Sequence, residues 1–233
     1  YISSGTGFFF EFNTARGVIP VIVTNKHVLQ GSSTGILYFK SKMIKDSLTK
    51  EYKTEKVSLP SFSKFWFAHP DTSVDLAVIP IAPILREYNL RGIDFIRAIY
   101  TEKDIPKDSV MMSLSAIEDI FMIGYPFGLR DISNDMPIVR KGITATPAYL
   151  NYNSKSEFLC DLPVFPGSSG SPIIIYNKGS YATKNGIALG SRTLLVGVNY
   201  ATYTRNFEGK IIPKISYNIE DSMKVNVPIP YNI

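Results

Sequence analysis

Few residues in this chain could perform chemistry, because it contains only two histidines and one cysteine. His27 lies in the segment TNKHV, directly after the apolar run VIPVIV, and His69 lies in the polar segment FAHPDTSVD. A histidine at the end of a strand, where side chains emerge into a cleft, is well placed to act as a base. Taken alone, each histidine is more often an ordinary surface or hydrogen-bonded residue than a base.

An acid is needed to hold such a base in one tautomer. Asp75 opens the apolar segment DLAVIPI, where a loop becomes a buried strand and a carboxylate could be partly shielded from water. Asp71, four residues earlier, lies in a more open loop and is the weaker candidate. The alternative for Asp75 is a polar residue that merely begins a strand, and its position alone favours that alternative.

The segment FPGSSGSPI, residues 165–173, holds three serines within four positions. Ser169 has one glycine two positions before it and another directly after it, and Ser168 and Ser171 lack this framing. A serine that attacks a carbonyl needs a neighbouring base and backbone N–H groups aimed at the developing oxyanion. Gly167 can adopt the backbone angles that turn its N–H inward. We therefore expect the amides of Gly167 and Ser169 to converge on one point, although such a stretch can also be only a turn.

The elements that must position these residues are short runs dense in branched and aromatic residues, which predict β-strands. The runs are GFFFEF (7–12), GVIPVIVT (17–24), GILYFK (35–40), DLAVIPI (75–81), DIFMIGY (119–125), SPIIIY (171–176) and TLLVGVNYAT (193–202). Short helical turns are predicted only over residues 83–92 and 101–108. Many short strands with few helices predict an all-β fold.

The strand runs divide around a polar connector at residues 101–118. The pattern fits two packed β-barrels of the six-stranded type, the first over residues 1–105 and the second over residues 106–233. The first would carry His27 and Asp75, and the second would carry Ser169. A cleft between two such barrels is the default place for a site.

Composition excludes several classes of protein. Apolar residues make up 45% of the 233 positions and charged residues 19%, as in globular proteins. No stretch approaches the roughly 18 unbroken apolar residues that a membrane span needs, and one cysteine cannot form an internal disulfide. The net charge of +5 is concentrated in residues 40–56. We interpret that stretch as a solvated loop or edge hairpin and expect no nucleic-acid partner, because it lacks interleaved aromatic residues.

Several segments together resemble the trypsin-like serine proteases, and within them the disulfide-free bacterial branch that includes the HtrA/Deg proteases. The histidine, aspartate and serine follow one another in the order of chymotrypsin. The matching segments are SSGTGFFFEF, IVTNKHVL, VDLAVIPI, MIGYPFGL with VRKGITATPA, CDLPVFPGSSGSPI, VGVNYAT and VNVPIPYNI, which span roughly residues 3 to 231. Five or more blocks in the right order are a far more specific signal than GxSG alone.

The resemblance implies a role for each matched residue. Ser169 would be the nucleophile and His27 the general base, Asp75 would orient the imidazole, and the amides of Gly167 and Ser169 would form the oxyanion hole. The expected fold is the pair of chymotrypsin-type barrels. The residues expected to bind the substrate are Pro163, Val164, Phe165, Asn199, Tyr200 and Ala201. We expect protein or peptide substrates, no cofactor and no metal.

Departures from the family pattern refine these expectations. Ser168 stands where vertebrate trypsins carry the aspartate that receives a freed N-terminal ammonium, so the loop must be ordered in another way, such as by a regulatory partner or further domains. Pro163 stands where the acidic specificity residue of trypsin would lie. We therefore expect a preference for small or medium uncharged residues before the cut bond. The chain starts at Tyr1 without a leader and lacks a PDZ-type extension after Ile233, which suggests an excised or processed protease domain.

Two classes of function follow. The leading hypothesis is a serine endopeptidase that passes through an acyl-enzyme, for which an esterase-like hydrolase with the same triad is a variant. The alternative is a latent or inactive binding or sensor module that keeps the protease fold. Cys160 is interpreted as a small buried residue rather than a nucleophile. The sequence leaves the cellular compartment open.

Overall fold

The computed structural model describes residues 3–44, 50–131, 134, 136–183, 186–202, 204–210 and 224–230. Within these ranges the chain is built mainly of β-strands, which confirms the predicted all-β class. The strands are β1 (Phe8–Thr14), β2 (Gly17–Thr24), β3 (Thr34–Ile44), β4 (Lys50–Pro60), β5 (Phe67–Ala68), β6 (Ala77–Pro80), β7 (Ile93–Phe95), β8 (Ile99–Thr101), β9 (Asp119–Gly124), β10 (Ile138–Thr144), β11 (Cys160–Asp161), β12 (Pro172–Asn177), β13 (Ser180–Thr183), β14 (Gly186–Leu189), β15 (Arg192–Val198), β16 (Thr204–Lys210) and β17 (Lys224–Pro230). The helices are α1 (Lys26–Leu29), α2 (Ala82–Leu90) and α3 (Asp108–Met111), with 3₁₀ turns at Phe62–Lys64 and Pro126–Gly128.

The strands form two groups of sheets along the chain. The front sheets have the orders β5-β6-β2-β1-β8 and β4-β3-β7, and the rear sheet has the order β11-β10-β9-β12-β15. Strands β13 and β14 form a separate hairpin, and so do β16 and β17. Most pairings are antiparallel, as expected for strands joined by short turns, whereas β1 and β8 run parallel. The boundary predicted between residues 105 and 106 stays a prediction.

Three apolar cores hold these sheets. The front core fills the space between the two front sheets, where the rings of Phe39 and Phe95 stack with centroids 4.5 Å apart. The rear core packs around Ile120, Met122 and Ile175, none of which is measurably exposed. Burial of each such side chain contributes about 1.5–3 kcal/mol.

The third core joins the front and rear sheets. Phe8, Phe10 and Val21 of β1 and β2 pack with Ile174 and Leu195 of β12 and β15, and all five are buried. These side chains belong to different sheets and share one water-excluded cluster. The third core therefore fixes how the two groups of strands face each other at the candidate site.

The predicted helical turns are half right. Residues 82–90 form α2, which has a proline in its first turn, where the missing N–H costs nothing. Residues 101–108 form no helix: the segment ends β8 and turns, and α3 begins only at Asp108. Pro106 explains the difference, because it donates no backbone hydrogen bond and disfavours helical geometry in the residue before it.

The basic stretch at residues 40–56 follows the hairpin interpretation. Its described parts belong to β3 and β4, which pair antiparallel from Thr34 with Pro60 to Ile44 with Lys50. Residues 45–49 lie outside the described residues. Among the described residues, none of the helices has the length and apolar character needed to cross a membrane.

Candidate active site

His27 and Asp75 meet because two neighbouring strands share one end. Strand β2 finishes at Thr24, which pairs with Ala77 at the start of β6. The residues after Thr24 and the residues before Ala77 therefore lie at the same edge of the sheet. His27, on α1, places Nδ1 2.5 Å from Oδ2 of Asp75, and its backbone N–H donates to Oδ1 of the same carboxylate over 3.1 Å.

This geometry sets the tautomer of His27. An ionised carboxylate only accepts hydrogen bonds, so Nδ1 carries the proton and Nε2 keeps its lone pair. The imidazole is half exposed and the Asp75 side chain is a quarter exposed, so protein does not enclose the ring. The pair is thus an oriented base.

Asn25 holds the backbone of Asp75. Its side chain is fully buried, and its Nδ2 donates to the backbone oxygen of Asp75 over 2.7 Å. A buried amide that spans β2 and the segment before β6 restrains the position of Asp75. The sequence reasoning missed Asn25; the signal was a polar residue directly after an apolar strand and two positions before the histidine.

The other candidate ionisable groups near this edge bond locally. Asp71 accepts hydrogen bonds from the backbone N–H and the hydroxyl of Ser73, and these bonds lower the pKa of Asp71. His69 accepts from the Asp71 amide through Nδ1. Neither residue contacts the carboxylate of Asp75, so the structure pairs His27 with Asp75 rather than with Asp71.

Ser169 lies in a tight turn before β12. Gly167 has φ +89°, and a Cβ added there would lie 2.6 Å from the backbone oxygen of Tyr125. Only glycine fits this position without strain. The backbone N–H groups of Gly167 and Ser169 find no acceptor among the described residues, whereas those of Ser168 and Gly170 donate to Phe165 and Asn199. Two N–H groups beside the serine are thus left available.

The orientation of the Gly167 amide follows from a contact on the preceding carbonyl. The backbone N–H of Phe127 donates to the oxygen of Pro166 over 2.6 Å. In a trans peptide the C=O and N–H point in opposite directions, and no cis peptide is present among the described residues. The Gly167 N–H therefore points away from Phe127. Phe127 itself has φ +53°, a left-handed conformation rare in phenylalanine.

Residues 3–7 connect the serine turn to the histidine. Thr6 donates its backbone N–H to the Ser169 carbonyl over 2.8 Å and its hydroxyl to the Gly167 carbonyl over 2.8 Å. On the other side, the hydroxyl of Thr24 donates to the Thr6 carbonyl over 2.7 Å. Gly5 lies where a side chain would strike Val28 and the Ser169 carbonyl, so this close approach requires glycine.

These contacts bring the turn of Ser169 beside the strand end that carries His27. Ser169 is partly exposed. Among the described residues, the Ser169 hydroxyl forms no hydrogen bond with the His27 ring. Catalytic hydrogen bonds are often long in an unliganded site and tighten only with substrate.

A cavity of about 410 Å³ adjoins the serine turn. Four of the six predicted substrate-binding residues line it, namely Val164, Asn199, Tyr200 and Ala201. Asn199 links the cavity lining to the Ser169 turn, because its carbonyl accepts a hydrogen bond from the Gly170 amide over 2.8 Å. The volume lies within the usual 300–1,000 Å³ range of ligand pockets.

The remaining two predicted substrate-binding residues contact other groups. Pro163 is outside the cavity lining, and its carbonyl accepts from Arg140 over 3.0 Å. Phe165 packs its ring against that of Phe127, with centroids 5.2 Å apart. The cavity also includes Glu157, whose carboxylate accepts from the Tyr200 hydroxyl. Sequence reasoning missed Glu157 because it lies outside the segments with family resemblance.

Cys160 is also in the cavity lining. Its burial raises the pKa of the thiol to about 12. The thiolate, which is the nucleophilic form, is thus scarce at neutral pH.

Comparison with known families assigns the chain. Residues 5–180 match the family described as the trypsin-like peptidase domain, and the chain belongs to that family. The matched span includes His27, Asp75 and Ser169. The predicted resemblance to trypsin-like serine proteases is therefore confirmed, and peptides or proteins are the substrates that this domain implies. The HtrA-like branch stays a prediction. A comparison with curated proteins found no match.

Proposed function

We propose that the protein is a serine endopeptidase that hydrolyses peptide bonds through an acyl-enzyme on Ser169. One observation carries the proposal: the oriented His27–Asp75 pair lies at the strand end that residues 3–7 join to the Ser169 turn. The two unpaired amides beside that serine add an anion-binding feature to a nucleophile and a base.

The proposed reaction begins when Ser169 Oγ attacks the carbonyl carbon and its proton moves to Nε2 of His27. The carbonyl oxygen becomes an oxyanion, which accepts hydrogen bonds from the Gly167 and Ser169 amides. The carbon–nitrogen bond then breaks as His27 donates the proton to the leaving amine. Water loses a proton to the same imidazole, attacks the ester and releases the acid, with the proton returned to Ser169. Asp75 stabilises the transient imidazolium.

A fluorophosphonate probe tests the nucleophile directly, because it labels serines that a base activates. We expect labelling of the wild type, none of Ser169→Ala and normal labelling of Ser171→Ala. Ser171 is a suitable control because it lies two positions away in the same segment and is fully buried. Labelling of Ser169→Ala would show that Ser169 is not the nucleophile.

We also propose a preference for small or medium uncharged residues before the cut bond. Val164, Ala201 and the ring of Tyr200 are uncharged parts of the cavity lining, and the carboxylates in that lining are those of Asp108 and Glu157. Glu157 is hydrogen-bonded to Tyr200, which occupies part of its accepting capacity. A peptide library should give weak cleavage after lysine or arginine. Strong cleavage there that disappears in Glu157→Gln would reverse the proposal and identify the responsible carboxylate.

A second candidate function is a latent protease-fold module that waits for a regulatory partner or another domain. Among the described residues no hydrogen bond joins Ser169 to His27, and this candidate expects that arrangement, which unliganded active sites also show. Casein cleavage measured alone and with candidate partners separates the two. Cleavage by the isolated chain excludes latency, whereas cleavage only after a partner is added supports it.

A further inference from the structure

A partly buried arginine contacts the turn that leads to Ser169. Arg140 lies in β10, and its Nη1 donates to the Ser168 hydroxyl over 2.9 Å and to the Pro163 carbonyl over 3.0 Å. Both acceptors belong to residues 163–168, immediately before the nucleophile. Nη1 therefore hydrogen-bonds both the first and the last residue of segment 163–168, and it links this segment to the rear sheet.

Ser168 transmits the contact to the oxyanion amides. Its side chain is fully buried, and its hydroxyl oxygen also accepts from the Phe165 backbone N–H over 3.2 Å. The carbonyl carbon of Ser168 is bonded to the nitrogen of Ser169, and the Gly167 N–H lies one peptide unit further back. A shift of Ser168 therefore moves the Ser169 amide directly and the Gly167 amide through Gly167 itself. A hydrogen bond to its side chain is consequently a restraint on the oxyanion hole.

The arrangement is poorly suited to a purely stabilising role. Nε and Nη2 of Arg140 are buried and have no protein partner among the described residues. No carboxylate of the described residues pairs with the guanidinium. Partial desolvation of a charge without a counter-ion costs free energy, and an unsatisfied buried donor adds to that cost. Methionine, with similar length and no charge, would avoid both costs.

We propose that Arg140 is a positioning residue that holds residues 163–168 so that the Gly167 and Ser169 amides converge on the oxyanion. This inference rests on the proposed function. Arg140 acts through Ser168 and Pro163 and touches neither the substrate nor the reacting atoms. The guanidinium of Arg140, a residue of the rear sheet, thus orders the turn.

Kinetics of Arg140→Met test this role, with Arg192→Met as the matched control. Arg192 is a partly buried arginine of the rear sheet that bonds to Asn177 and Glu118, away from the turn. We expect Arg140→Met to lower kcat about 10–100-fold, somewhat less than the loss from deleting an oxyanion donor. KM should change less than about threefold. Arg192→Met should keep the wild-type kcat. Arg140→Lys should recover part of the loss, since it restores one donor.

A double-mutant cycle with Ser168→Ala gives a readout that a loss of stability would not produce. If the contact is the cause, the double variant has the kcat of Arg140→Met rather than the product of the two losses. We expect the melting temperature of Arg140→Met to stay within about 5 °C of the wild type, because the change also removes a partly desolvated charge and two unsatisfied buried donors. A kcat equal to that of Arg192→Met, or multiplicative losses, would overturn the proposal.

Amide hydrogen exchange over residues 163–170 tests the same contact independently of enzymatic activity. Arg140→Met should exchange faster than the wild type and Arg192→Met in this segment. An unchanged exchange rate contradicts the positioning role even when the wild type proves inactive. An inactive, unlabelled wild type with faster exchange in Arg140→Met instead refutes the proposed function and leaves the positioning of the turn supported.

Discussion

Replacement of Asp75 by asparagine is the most informative single change at the site. The carboxylate accepts two hydrogen bonds from His27, one from the backbone N–H at 3.1 Å and one from Nδ1 at 2.5 Å. An asparagine side chain has nearly the same shape but can present an NH₂ group to Nδ1. The imidazole would then carry its proton on Nε2, where it cannot accept one from Ser169.

The size of the effect follows from which bond changes during the reaction. The backbone bond is present throughout and so adds equally to ground and transition states. The Nδ1 bond strengthens as the imidazolium forms. Asp75→Asn reverses the donor and the acceptor of this bond. A wrong tautomer of this kind lowers kcat by about 10⁴ in the chymotrypsin-type triad, equivalent to about 5.4 kcal/mol. The Asp75 side chain is a quarter exposed, so partial screening reduces our expectation to about 10³–10⁴.

The assay is kcat on a cleaved peptide, with circular dichroism to verify folding. Asp71→Asn serves as the control, because Asp71 bonds to Ser73 and lies in the same loop without contacting His27. We expect the control to keep activity within about twofold, as for a surface change away from the reacting atoms. If Asp75→Asn kept more than a tenth of the wild-type kcat, the assigned orientation of His27 would be wrong.

Three further outcomes are expected. Gly167→Ala should lower kcat by about 10²–10³, because a Cβ there meets the Tyr125 carbonyl at 2.6 Å and displaces one oxyanion amide; stopped-flow acylation measures the loss, and unchanged acylation would argue against this amide. Thr6→Val should destabilise the fold by about 1–3 kcal/mol in urea titrations, because its hydroxyl donates to Gly167 and accepts from the Tyr125 N–H; an unchanged midpoint would contradict the joining role of this residue. Iodoacetamide should modify Cys160 slowly at pH 8 in the native protein and quickly in urea, because burial raises its pKa to about 12 and keeps the thiol neutral well above that pH. Equal rates in the two states would show that the thiol is accessible.

Features encoded locally in the sequence were the ones that could be predicted. The strand at residues 17–24 has the predicted bounds, because a continuous branched run between a glycine and a polar residue defines its own ends. The pairing of His27 with Asp75 was anticipated from residue types at strand ends and from family resemblance. The glycine at 167 was anticipated because a turn with an inward amide needs its backbone freedom.

Features that depend on how distant strands align could not be predicted. Arg140 appears in the sequence as one of two basic residues of a strand, and only the pairing of β10 with β9, Arg140 opposite Met122, directs it to the serine turn. Thr6 lies in a segment rich in serine and glycine that resembles an ordinary loop. Its contacts depend on a partner 161 positions away, which no local pattern encodes.

The long sequence separation between Thr6 and Gly167 affects when the protein can become a protease. The first of these residues leaves the ribosome far ahead of the second, so the nucleophile turn cannot be joined to the histidine edge while most of the chain is still being made. Closing so long a loop is slow, and contacts of this range form late in folding. For the proposed endopeptidase, a nascent or half-folded molecule would therefore be unable to cleave neighbouring proteins, and activity would arise only at the end of folding.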